Sequence, residues 1–245
     1  MINKILVKKR FQKSLNTYDE NAIVQKQMAE KLISLLPRNK YNCIFEVGCA
    51  TGILTHKIKK KINFEFYSAN DIVEDSKPFI DKIIPGNQFI YGDIEEIKLT
   101  SNYDLIISNA CLQWCSKPNK TISNLIKHLN NKGVLAISIF GDSNLCEITN
   151  ILDINNKDYL MSDIKNELKK YNVINYLEEN IELFFNTPKD ILKHLKLTGV
   201  NSVSDIHFTK STLKEFEDKY RILYKRDKGY ILTYNPVYII ISTDK

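Results

Sequence analysis

Long apolar runs are missing from this chain of 245 residues. The longest, Gly133–Phe140 and Val237–Ile241, fall far short of the ~20 residues that span a bilayer, so no membrane segment is expected. The apolar stretch within Met1–Phe11 is too short for a secretory signal. Cysteine is sparse and unpaired in pattern: Cys43, Cys49, Cys111, Cys115 and Cys146 are odd in number and form no C-x-x-C. His56, His128, His194 and His207 are scattered. Neither a metal site nor a disulfide framework is expected, and thiols kept reduced in the cytoplasm are the simple reading. Glycine (8) and proline (6) are few, and 43% hydrophobic with 26% charged residues excludes a collagen-like or disordered chain. No linker divides the chain, whose length suits one α/β domain with a full core.

Acid is absent from the first eighteen residues, where Lys4, Lys8, Lys9, Arg10 and Lys13 precede Asp19. A solvated helix face, a docking site for an acidic partner and an organelle transit segment all fit. The net charge is +6, but no aromatics interleave the basic residues as a nucleic-acid stacking platform requires.

Strand-like and helical runs alternate through the first half. Cys43–Val47, Phe64–Ala69, Gln88–Tyr91, Leu105–Ser108 and Val134–Phe140 read as strands. Ile53, Leu54, Ile58 and Ile62, then Ile122, Leu125, Ile126 and Leu129, follow helical spacing. Continuous apolar strands between helices mean a parallel sheet covered on both faces. Val24, Met28, Leu32, Leu35 and Leu36 mark an amphipathic helix stopped by Pro37, within an N-terminal helical segment 1–37. The chain reads as helical from Gly141 to about Lys170. Asn180–Phe185 and Tyr230–Ser242 read as the last two strands. The expected division is a single domain: core 40–141 with 180–186 and 230–242, and a small helical cap at 187–229 inserted before the last strand.

The strand ends carry the chemistry. Ligands of an open α/β sheet bind outside the carboxyl ends of its strands. The first strand runs into Glu46-Val47-Gly48-Cys49-Ala50-Thr51-Gly52, where glycines let backbone approach a ligand and helix amides follow. The second strand ends at Asp71, 19 residues after Gly52, near the ~20 at which an acid meets ribose hydroxyls. The third ends at Asp93 and the fourth at Asn109. No G-K-[ST] follows the glycine turn, which excludes a P-loop, and the spacing is not the G-x-G-x-x-G of dinucleotide oxidoreductases.

Phe45–Gly141 thereby resembles the class I S-adenosylmethionine-dependent methyltransferases, which have a Rossmann-like seven-stranded sheet. The resemblance implies that Glu46 orients the loop and that Gly48, Cys49, Ala50 and Gly52 pack on the methionyl part of the donor. It implies that Asp71, followed by Ile72, takes the ribose, that Asp93 and the Ile94 amide read the adenine edge, and that Asn109 sits beneath the methionyl group. Ala50 departs from the usual glycine. Asn109-Ala110-x-Leu112-Gln113-Trp114 is not the [DN]-P-P-[YF] of base-amine methyltransferases; Asn235-Pro236-Val237-Tyr238 mimics that motif in the wrong strand. It resembles two carboxylate O-methyltransferase groups, the trans-aconitate and the malonyl-acyl-carrier-protein enzymes.

Outer motifs favour the second group, which serves biotin synthesis: Arg10-Phe11, Thr17-Tyr18-Asp19, Phe140-Gly141, Leu195-Lys196 with Thr198-Gly199-Val200, and Leu232-Thr233-Tyr234. The implied reaction esterifies the free carboxylate of malonyl-acyl carrier protein. A carboxylate with a reference pKa near ~4 is already ionised at pH 7, so no general base is needed. Tyr18, Gln113 and Trp114 are expected to position the reactants and close the donor pocket. Arg10, Lys193, Lys196, Arg221 and Arg226 are the candidate cations for the substrate carboxylate or its acidic carrier. His128 and His194 are read as surface helix residues. The chain is read as a monomer. A small-acid methyltransferase and a respiratory complex I assembly-factor-like protein are the alternatives.

Overall fold

A computed structural model describes residues 2–153, 161–198 and 209–244. His207 and residues 199–208 of the expected cap, with Gly199 and Val200 of its motif, lie outside the described residues. From the N-terminus come α1 (Lys4–Asn21), α2 (Ile23–Ser34), β1 (Cys43–Val47), α3 (Ile53–Lys61), β2 (Phe66–Asp71), α4 (Lys77–Ile83) and β3 (Gln88–Tyr91). Next are β4 (Tyr103–Asn109), α5 (Pro118–Ile126), β5 (Leu129–Phe140), α6 (Cys146–Leu152), α7 (Met161–Leu168) and β6 (Asn172–Glu178). The chain closes with β7 (Ile181–Phe185), α8 (Pro188–Leu197), α9 (Lys210–Tyr224), β8 (Lys225–Arg226), β9 (Gly229–Tyr234) and β10 (Pro236–Ser242).

Seven strands form one sheet in the order β3-β2-β1-β4-β5-β10-β6. β1 to β5 pair in parallel, and β10 runs antiparallel between β5 and β6. Burial on both faces explains the unbroken apolar runs: Ile106 joins the core beneath α5 and α7, and its neighbour Ile107 joins the opposite core against α2 and α3. The strand order reverses between β1 and β4, which opens a crevice at their carboxyl ends.

The last third departs from the sequence expectation. The sheet's edge strand is Asn172–Glu178, where residues alternate between half-buried and exposed. Ile181–Phe185, read as a core strand, belongs instead to a small antiparallel sheet ordered β7-β9-β8. Tyr230–Ser242 is two strands, one in each sheet. The break is Asn235: its Nδ2 donates to the Glu179 carbonyl (3.1 Å) and Asn180 Oδ1 (3.0 Å), and its Oδ1 accepts from the Ser143 amide (3.2 Å). Pro236 follows with no N–H to give. The motif-like Asn235-Pro236 is thus the joint between the sheets. The cap carries α8 and α9 together with this small sheet, and Tyr220 of α9 is pinned by its hydroxyl to the Ile231 carbonyl (2.7 Å).

Candidate active site

The carboxyl ends of β1 to β4 and one face of α1 enclose a cleft of about 710 Å³, open mouth included. α1 contributes Lys4, Val7, Phe11, Leu15 and Tyr18, spaced three or four apart as one helix face requires. Of the residues expected at the donor site, Tyr18, Gly48, Ala50, Asp71, Ile72, Asp93, Ile94, Asn109 and Trp114 line it together.

Three more stand behind the lining. Glu46 is buried in β1 and accepts from Thr55 Oγ1 (2.6 Å) and from the Tyr67 hydroxyl, so it ties α3 and β2 to the glycine turn. Burial pushes its carboxyl up to about 7, against the pull of those two hydrogen bonds. Cys49 is buried, with its thiol pushed well up by the same cause. Gly52 (φ +88°) caps α3 in the left-handed region, where a Cβ would strike Ile83.

The turn itself is built on backbone. Gly48 has φ +73°, and a Cβ there would collide with the Cys111 side chain. The Gly48 and Cys49 amides donate to the Asn70 carbonyl (2.9 and 3.0 Å). Ala50 also adopts positive φ (+46°), and its amide donates to Asp71 Oδ2 (2.7 Å). The Val73 amide donates to Asp71 Oδ1 (2.8 Å). Burial raises the Asp71 carboxyl to about 6 even so. Asn109 is locked between α2 and β5: its Nδ2 donates to the Gln25 carbonyl (3.1 Å), and its Oδ1 accepts from Ser138 (2.7 Å).

α1 reaches each strand-ending turn in succession. Thr51 donates to Asp19 (2.5 Å), Gln12 to Asp75 (2.5 Å) and Lys8 to the Tyr91 hydroxyl (2.5 Å). Lys4 lies between Asp93 (3.0 Å) and Glu95 (2.8 Å). Burial opposes the Lys4 charge, but the hydrogen bonds it donates to Glu95 and Asp93, with their negative surroundings, outweigh it and hold its pKa above the ordinary value. Phe11 meets Trp114 edge-on (5.6 Å between centroids) and Tyr18 (6.3 Å). Burial, followed by the Cys111, Asp71 and Asp19 charges, pushes the Tyr18 phenol up, so it stays a hydrogen-bond donor.

Gln113 does not line the cleft; its Nε2 donates back to the Ala110 carbonyl (2.7 Å). Arg10, Lys193, Lys196, Arg221 and Arg226 do not line it either. Arg10 is half-buried on α1, Lys193 and Lys196 are exposed on α8, and Arg221 pairs with Glu217 (3.4 Å) and Asp218 (3.8 Å). Arg226 donates to the backbone carbonyls of Leu223 and Lys225. Among the described residues the cation at the cleft is Lys4, which the sequence reading does not single out. His194 is no surface residue: it is buried, and its Nε2 meets the Tyr234 hydroxyl at 2.9 Å. Asn70, Ser76, Cys111 and Cys115 also line the cleft unforeseen. Asn70 adjoins Asp71 and bridges two turns, donating to the Ile90 and Gly92 carbonyls (2.9 Å each). The fully buried Ser76 hydroxyl has no partner among the described residues.

The sheet order, the glycine turn after β1 and the acids ending β2 and β3 define a class I methyltransferase fold. A family model described as "Methyltransferase domain" matches residues 18–193. Among solved structures, the N-methyltransferase NodS of Bradyrhizobium japonicum in complex with S-adenosyl-L-homocysteine superposes with a TM-score of 0.58. The match covers 96% of this chain and 97% of that one at 12% identity. The malonyl-[acyl-carrier protein] O-methyltransferase of Calditerrivibrio nitroreducens is 36% identical over 242 residues, covering 97% of this chain and 96% of the relative. The enzyme of that name from Haemophilus influenzae is 30% identical over 98% of this chain and 94% of its own length. The chain belongs to the malonyl-[acyl-carrier protein] O-methyltransferase family.

Proposed function

We propose that the chain methylates the free carboxylate of a malonyl group carried on acyl carrier protein. The observation that carries this reading is the near full-length similarity to relatives of that name. The cleft fits the donor, S-adenosylmethionine: a buried hydroxyl without a partner among the described residues and acids at two strand ends suit a nucleoside joined to a cationic chain. When bound, the donor supplies a methyl group on a sulfonium. Asp71 is the residue for the ribose, since each of its oxygens accepts one backbone amide and keeps a lone pair. Asp93 and Ile94 would face the base, and Asn109 with the backbone of Gly48 and Ala50 would face the methionyl part; all five line the cleft.

The acceptor carboxylate is ionised at neutral pH, so the protein has no proton to remove. Its work is alignment and exclusion of water, and alignment alone can supply up to ~7–11 kcal/mol. α1 covers the cleft with Phe11, which meets Trp114 of the turn after β4, and presents the Tyr18 phenol. Esterification hides the malonyl charge, so that chain elongation toward a biotin precursor can follow. We read the chain as one cytoplasmic catalytic domain acting as a monomer. Its five cysteines are free, and no helix among the described residues is long and apolar enough to cross a membrane.

The test is to mix the protein with S-adenosylmethionine and malonyl-acyl carrier protein and follow the carrier by intact mass. One added methyl group, absent with free malonate, is expected. No gain while the donor binds by calorimetry would refute the substrate.

A further inference from the structure

The cap presents a surface that the cleft does not use. α9 turns Phe216 and Tyr220 inward, and at its far end Ile222 is 81% and Leu223 54% exposed. Exposed apolar surface carries meaning where it is contiguous and rimmed by polar side chains, and these two neighbours are so rimmed. Around them lie Lys219, Arg221, Lys225, Arg226 and Lys228, against one acid, Asp227, in that ten-residue stretch. Lys219 and Arg221 pair within α9. Lys225, Arg226 and Lys228 are exposed, and among the described residues no carboxylate pairs with them.

We infer that the end of α9 with the β8–β9 turn, centred on Ile222, Leu223, Lys225 and Arg226, is the docking surface for an acidic carrier protein. The inference rests on the proposed substrate and places its carrier. Charge selects the occupant: a second copy of this chain would set like against like, whereas an acidic helix with an apolar side chain satisfies both halves of the patch. Distance agrees. β9 runs from the turn at Gly229 to Tyr234, whose hydroxyl meets His194 of α8, and α8 in turn touches α1 beside Tyr18, where Thr17 donates to the Leu197 carbonyl (3.3 Å). Five strand steps at ~3.3 Å set the patch ~17 Å from Tyr234, so a malonyl group would have to reach the cleft on an extended arm of its carrier.

The test compares two acceptors, malonyl-acyl carrier protein and the malonyl thioester of N-acetylcysteamine, in Lys225→Glu and Ile222→Asp. Both positions are exposed, so folding is not at stake. Each variant should lower kcat/KM for the carrier by about tenfold, with the loss in KM and steepest at low salt. The small thioester should be methylated as by the wild type. Equal losses on both acceptors, or no loss on the carrier, would overturn the proposal. So would a carrier-specific loss in Lys13→Glu on α1 without one in Lys225→Glu, or loss of binding to phosphatidylglycerol vesicles with carrier kinetics intact. Wild-type protein that methylates neither acceptor would instead bring down the substrate reading, and this surface with it.

Discussion

Glu46 sets a pH dependence of stability that can be isolated by one substitution. The side chain is buried beneath the glycine turn, and burial raises its carboxyl from 4.5 to about 7. A carboxyl raised in the folded state binds its proton more tightly there than in the unfolded chain. Its contribution is therefore most favourable below pH 4.5 and is lost as pH climbs through 7. The gap between 4.5 and 7, at about 1.4 kcal/mol per pH unit, is about 3 kcal/mol. Glu46→Gln keeps a carbonyl oxygen for Thr55 and Tyr67 and removes the titration. The stability of Glu46→Gln relative to wild type, from urea unfolding followed by circular dichroism, should therefore rise by about 3 kcal/mol between pH 4.5 and 8. Other titrating groups, including Asp71, act in both proteins and largely cancel in the difference. A difference flat within about 0.5 kcal/mol would show that Glu46 is not held protonated and that the turn tolerates its charge.

Ser76→Ala should leave the free protein as stable or about 1 kcal/mol more stable, because it removes a buried hydroxyl with no partner. Calorimetry should show donor affinity falling about fivefold in the same variant; unchanged affinity would mean the hydroxyl faces no ligand. Gly48→Ala forces a side chain into positive φ and against Cys111, and should cost about 2–4 kcal/mol in unfolding free energy. Lys4→Met leaves Asp93 and Glu95 facing each other without their cation, and hydrogen exchange in the first turns of α1 should quicken about tenfold, more so at low salt.

The fold was legible where burial on both faces wrote itself into the chain. β1 and β3 were read at their observed bounds, Cys43–Val47 and Gln88–Tyr91, because apolar residues run up to a glycine or an acid. β6 escaped because its polar residues Asn172, Asn175 and Glu178 fall three apart, a helical rather than a strand spacing, while the apolar Ile174 and Tyr176 sit on the exposed side of the edge strand. The division at Asn235 escaped for another reason. Tyr230–Ser242 is apolar on both sides of the joint, and the side-chain bonds that bend it go to residues 55 to 92 positions away.

At the site, residues fixed by backbone geometry were legible and those fixed by tertiary charge were not. Gly48, Gly52, Asp71 and Asn109 sit where a strand must stop, so their place follows from position alone. A cation has no such marker. Lys196 looked suited to a carboxylate by its neighbours in sequence, yet α8 turns it to solvent. Lys4 looked like one of five interchangeable basic residues, yet only its register puts it on the face shared with Val7, Phe11 and Tyr18. Helical spacing from Tyr18 back to Lys4 contained that information, but using it required knowing that α1 lies over the cleft. That placement comes from Asp19, Gln12 and Lys8, each bonded to a different turn. The charge that Lys4 brings is already neutralised by Asp93 and Glu95, so it fastens α1 rather than holding the substrate. On the proposed substrate, the acceptor carboxylate would meet neutral donors such as the Tyr18 phenol that lines the cleft, which would suit a nucleophile whose negative charge must stay available for the methyl group.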